Sequence, residues 1–209
     1  MPLQNRVTPD GQIVANPARG TLMGNRGGMM HRLDKTLGPK RWVSKQWITC
    51  RTSYKGRWRE VMGHEGYTEL FFLDEATSFA AGHRPCYECR RREAIYFAEL
   101  WGEALGSGPR AKAGDIDITL HAERLNAEGR KATFKSQIGD LPTGAMIRWR
   151  DGIYLMFAGK LLRWSLDGYI AAVDAGHDLL VDVLTPRSSL EIFRAGYDAD
   201  LHESALQYM

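Results

Sequence analysis

The stretch "AAGHRPCYECRRREA", residues 80–94, decides how this chain is read. A glycine and a proline break the backbone direction. Two cysteines follow, Cys86 and Cys89, with two residues between them, and three arginines come directly after. A C-x-x-C turn sets two sulfurs on one side of a tight loop, close enough to share a tetrahedral ion. Three readings compete: a metal clasp, a redox pair, or inert thiols in a turn. A thioredoxin-type redox pair should follow a strand and open a helix within a βαβ unit, whereas here a helical segment and a proline precede the pair. A helix predicted from Arg90 onward would put its positive end beside Cys89 and favour a thiolate. The metal clasp is therefore the leading reading.

Two ligands do not fill a zinc site. The chain has three cysteines in 209 residues, and the third, Cys50, closes a predicted strand. In a reducing compartment close thiols serve as ligands or catalysts more often than as staples, so Cys50 is taken as the third ligand. A strand-borne cysteine can also be a small buried apolar residue. His64, in a connection between predicted strands, is the first choice for the fourth ligand, ahead of His31, His202 and His83.

Composition sets wider bounds. The hydrophobic fraction is 44% and the charged fraction 25%, as in an ordinary globular protein. No apolar run approaches the roughly 20 residues that span a bilayer, and the first residues carry no secretory h-region. A cytoplasmic location and no membrane partner are expected. The net charge is only +3, but its distribution is uneven: from Arg19 to Arg59 eleven Lys and Arg face a single Asp34. Such a stretch suits a polyanion; the competing reading is a solvated basic face. The candidate nucleic-acid contacts are Arg41, Lys45, Arg51, Lys55, Arg57 and Arg59, with Arg84, Arg90 and Arg91 around the cysteine pair. Trp42, Trp47, Tyr54 and Trp58 lie among them, able either to stack bases or to pack a hairpin.

Along the chain, residues 1–40 are rich in Gly, Pro, Arg and Asn and read as an ordered or half-ordered arm. "RWVSKQWITCRTS" (41–53) and "RWREVM" (57–62) read as a hairpin, and "YTELFFL" (67–73) as a third strand. Asp74 is a good N-cap for a helix running to Ala81, with Gly82 in the left-handed C′ position. Ala94, Phe97 and Trp101 have helical spacing. After a Gly-rich loop, residues 115–129 read as a helix. From about 133 onward, short apolar runs separated by Gly, Asp and Pro predict a small antiparallel sheet or barrel, followed by a helix from about 185. The fold class is α+β: a zinc module over 41–106 and a β-rich part over 115–209, either separate or packed with the module as one unit.

"FFLDEATSFAAGHRPCYECRRREA" resembles the metal-binding domain of the bacterial adaptive-response alkylation-repair regulator, Ada. Glu75, Ala76, Ala81, Gly82, Arg84, Pro85, Cys86 and Cys89 match that domain's "EA-x-x-AG … G-[FY]-R-P-C-x-x-C" pattern. With "QWITC" as the earlier strand, the resemblance covers about residues 46–94. It implies a small α/β zinc module that binds DNA, in which the strand-end cysteine, here Cys50, accepts a methyl group from a methylated DNA phosphate. Tyr54 stands where the family has another cysteine, so the sequence points to a Cys₃His set with His64. No later cysteine exists to form an alkylguanine-transferase site, and residues 115–209 match nothing in the family.

Asp117 and His121 are four apart and share a helical face, which makes them, with Cys50, candidate catalytic groups. A surface ion pair is the commoner role for such residues. The "H-x-E … P-C-x-x-C" pattern of zinc deaminases is out of register, because Glu65 directly follows His64. The expected function is a zinc-dependent nucleic-acid-binding protein, with DNA favoured over RNA, in repair or a stress response. The alternatives are a metal-dependent enzyme acting on nucleic acid, as a hydrolase or as a methyl acceptor through Cys50, and a structural zinc module for protein contacts.

Overall fold

The computed structural model describes residues 1–174 and 176–209, which form two six-stranded sheets with helices between them. The fold is α+β. The first sheet has the order β2 (Ile13–Ala15), β1 (Gln4–Val7), β5 (Leu70–Phe72), β3 (Leu22–Asn25), β4 (Ile48–Arg51), β6 (Arg84–Pro85). It is mixed: β1 runs parallel to β5 and β4 parallel to β6, and the other pairs are antiparallel.

Residues 1–40, expected as an arm, supply three strands to this sheet, and β3 lies inside it between β5 and β4. The glycines serve close packing rather than flexibility. A Cβ at Gly24 would sit 2.2 Å from the Ile48 carbonyl oxygen, and one at Gly20 would sit 1.8 Å from that of Phe72. The expected strand over 41–53 shortens to Ile48–Arg51, and residues 57–62 form an irregular flap instead of a returning strand.

Helix α1 (Glu75–Ala80) starts at Asp74, whose carboxylate accepts from the Thr77 N–H at 2.9 Å, and ends before Gly82 at φ +85°. Helix α2 (Arg91–Ala104) buries Ala94, Phe97, Ala98 and Trp101 at helical spacing. Helix α3 (Ala113–Arg124) buries Ile116 and Leu120. The second sheet is wholly antiparallel, in the order β11 (Gly168–Val173), β10 (Lys160–Ser165), β9 (Gly152–Phe157), β8 (Met146–Trp149), β12 (Leu180–Val183), β7 (Phe134–Gln137). Helix α4 (Arg187–Arg194) follows it. Its first N–H groups are served from outside: Glu123 accepts from the Ser188 N–H at 3.0 Å and hydroxyl at 2.6 Å.

The largest hydrophobic cluster joins Phe79 of α1, Phe97 and Trp101 of α2 and Leu120 of α3 to Ile147, Tyr154 and Val183 of the second sheet. Buried polar contacts tie the same parts together. The Asp74 carboxylate accepts from the Tyr169 hydroxyl at 2.7 Å. Glu75 accepts from the Tyr197 hydroxyl at 2.9 Å and the Asp200 N–H at 3.0 Å, and pairs with Arg90 at 2.7 Å. No helix among the described residues is long and apolar enough to cross a membrane.

Candidate metal centre and cleft

Strand pairing brings the three cysteines together. In the parallel ladder between β4 and β6, Ile48 lies level with Arg84 and Thr49 with Pro85. One step further, the Cys86 N–H donates to the Thr49 carbonyl at 2.9 Å, which sets Cys86 beside Cys50. The chain then turns. The Arg90 N–H donates back to the Cys86 carbonyl at 3.0 Å, and Cys89 returns to the same point. The sulfurs of Cys50, Cys86 and Cys89 all lie within 4.8 Å of one another. Tetrahedral Zn–S bonds near 2.3 Å require sulfurs about 3.8 Å apart, so only small shifts separate this triangle from a bound ion.

The surroundings favour thiolates. The Cys86 sulfur accepts from the Glu88 N–H, and the Cys89 sulfur from the Arg51 N–H, each at 3.4 Å. Hydrogen bonds from Cys50 and Cys89 hold the Cys86 thiol far below the usual range, while the contact with Cys86 and burial push Cys50 up. A cation at the centre would let all three sulfurs ionise. This donor set can hold a metal ion.

No histidine joins it. His64 is exposed in the flap and lies outside the cluster. His31 is engaged by the Thr68 hydroxyl at 2.7 Å and the Gly63 carbonyl at 2.9 Å, and His202 by the Ser204 hydroxyl at 2.8 Å. His83 is fully buried between Trp47 and Phe72. Among the described residues the cluster is Cys₃, not the expected Cys₃His.

The cluster opens on a cleft of about 440 Å³. Its floor is one face of the first sheet, where alternate residues point the same way: Met23 and Asn25 of β3, Ile48 and Cys50 of β4, and Glu69 and Phe71 at β5. The opposite face, with Leu22, Leu70 and Phe72, packs into the core. The flap supplies the roof, including Tyr54, Arg57, Trp58, Arg59 and Tyr67. The Arg59 guanidinium sits 4.4 Å above the Tyr67 ring, and Trp58 is 86% exposed.

The expected basic residues divide into two groups. Arg41, Lys45, Arg51, Lys55, Arg57, Arg59 and Arg91 are exposed, and of these Arg51, Arg57 and Arg59 border the cleft. Arg57 meets Glu88 at 2.6 Å, and Arg51 meets Glu93 at 3.1 Å. Arg84 and Arg90, read as phosphate contacts, are instead buried and committed to Asp117 and Glu75. Their charges fix the cysteine turn to α3 and α1.

Asp117 and His121 are held by different partners. Asp117 accepts two hydrogen bonds from Arg84. His121 Nδ1 lies 2.9 Å from Arg124 Nη2, with its ring edge-on to Trp42, and burial followed by the charges of Arg124 and Lys45 lowers its pKa. Sequence reading missed Glu69 and Asn25. Their only signal was the period-2 alternation with Phe71 and Met23, which is silent until the neighbouring strands are known.

No protein-family model matches this chain, nor does any curated protein or solved structure.

Proposed function

We propose that this is a zinc-binding protein that holds nucleic acid, DNA ahead of RNA, across the cleft beside its three-cysteine centre. The observation that carries this reading is the junction of the two features: the sulfur triangle forms one end of a cleft bordered by exposed Arg51, Arg57 and Arg59 and by exposed Trp58. Arginines supply the salt-dependent attraction to phosphates, and an exposed aromatic face supplies sequence-tolerant stacking. Zinc suits three thiolates better than hard cations do. When bound, it keeps the thiolates ionised and ties β4 to the cysteine turn. The Ada-like motif supports the same assignment, with Glu75, Arg84 and the glycine of that motif serving as framework around the sulfurs.

The test is binding of the zinc-loaded protein to short DNA over a range of salt. Affinity should fall steeply as salt rises, and Arg57→Glu with Arg59→Glu should weaken binding and flatten the salt slope by about two. Salt-independent binding, or no effect of the double charge reversal, would remove the cleft from consideration.

A further inference from the structure

At the end of the cleft floor, Glu69 is 2% exposed yet incompletely satisfied. Its Oε2 accepts from the Met62 N–H at 2.7 Å, and its Oε1 has no hydrogen-bond partner among the described residues. The nearest cation, Arg59, is 3.8 Å away, beyond hydrogen-bond range. A buried carboxylate oxygen without a donor is costly, and its residue lines the cleft. Asn25 lines the same cleft. Its Oδ1 accepts from the Gly27 N–H at 3.0 Å, which makes the amide nitrogen the donor end of the side chain. The two are neighbours: Gly24 of β3 pairs with Leu70 of β5, so one step along the antiparallel ladder sets Asn25 against Glu69. A donor and an acceptor thus stand side by side above a floor of Met23, Ile48 and Phe71, under a roof that includes Tyr54, Trp58 and Tyr67.

Such a slot fits a flat ring with a polar edge. Guanine alone among the DNA bases presents an acceptor, O6, followed by two adjacent N–H donors, N1–H and the 2-amino group. Adenine and cytosine would turn a ring nitrogen lone pair toward the carboxylate, and thymine offers one N–H between two carbonyls. We infer that the cleft takes the unstacked guanine of a single strand, with Glu69 accepting from N1–H and the 2-amino group and Asn25 donating to O6. This inference rests on the nucleic-acid reading above and assigns the base that the cleft reads.

The experiment uses the zinc-loaded full chain and fluorescently labelled oligothymidylates that carry one central dG, dA, dC, dT or abasic site. The dG strand should bind about 10-fold more tightly than the abasic one, which corresponds to about 1.4 kcal/mol. Glu69→Gln retains an acceptor oxygen for the Met62 N–H but lacks the second acceptor. It should erase the dG preference, read as the ratio of dG-strand to abasic-strand affinity within the same variant. Asn25→Asp retains the acceptor for the Gly27 N–H, removes the donor, and should do the same if Glu69→Gln fails to fold. Circular dichroism and zinc content establish that each variant is intact. Equal binding of all five strands would overturn the base pocket while leaving nucleic-acid binding in place. Binding of none would overturn both.

Discussion

The Arg84 guanidinium grips both carboxylate oxygens of Asp117, at 2.9 and 2.7 Å, with both side chains buried. The pair crosses from the strand that leads into the cysteine turn to the middle of α3. Removing one partner would strand a charge in the interior. Asp117→Ala should therefore cost about 3–5 kcal/mol, read as a lowered urea midpoint. Glu191→Ala, which breaks the exposed pair with Arg194, should cost no more than about 0.5 kcal/mol. Equal effects would mean that Arg84 finds another partner and that the cysteine turn is not anchored through α3.

Helices and sulfurs were the legible part of this sequence. Asp74 caps α1, Gly82 ends it, and Phe97 and Trp101 face the core because local chemistry and the 3.6-residue period dictate each. Cys50, Cys86 and Cys89 converge as the motif implies. The first sheet was legible only in part: β4 and β5 lie within stretches that read as strands, whereas β1, β2 and β3 do not. Those three are three or four residues long, and Gly20 and Gly24, before and within β3, read by composition as part of an ordered or half-ordered arm. Charge was misread at Arg84 and Arg90, because a basic residue in sequence carries no mark of the buried carboxylate that will claim it. The aromatic and β-branched run near residue 58 predicts a strand, yet it roofs a cleft.

Metal removal should loosen one end of the molecule without unfolding all of it. The hydrophobic clusters around Phe97 and Leu155 lie outside the sulfur triangle. Chelation should lower the melting temperature and expose three thiols to a colorimetric reagent while most helical signal remains. Cys50→Ser and Cys86→Ser should each lose stoichiometric zinc on elemental analysis. Full zinc content in Cys50→Ser would place the ion elsewhere.

Acid should act through His83. It is wholly buried, its Nε2 accepts from the Arg26 Nε–H with the nitrogens 3.4 Å apart, and its Nδ1 has no partner among the described residues. Burial, then the charges of Arg26 and Arg124, lower its pKa well below the ordinary value of 6.5. The unfolded chain takes up a proton near pH 6.5 while the folded chain does not, so stability falls as the pH drops below that point. The slope approaches about 1.4 kcal/mol per pH unit. His83→Gln should remove this dependence between pH 6.5 and pH 5 when urea midpoints are compared with the parent. A parent and variant that lose stability in parallel would show that His83 protonates in place.

Trp58 separates binding from folding. At 86% exposure it makes little contact with the core, so Trp58→Ala should change stability by less than about 0.5 kcal/mol. If its face stacks a base at the mouth of the cleft, the same substitution should weaken single-strand binding by about 1–3 kcal/mol. Its loss should leave the salt slope intact, because no phosphate contact is removed. Arg57→Glu should do the reverse and change the slope. A Trp58→Ala protein that binds with parental affinity would leave the arginines as a purely electrostatic rim and move the stacking surface to Tyr54 or Tyr67.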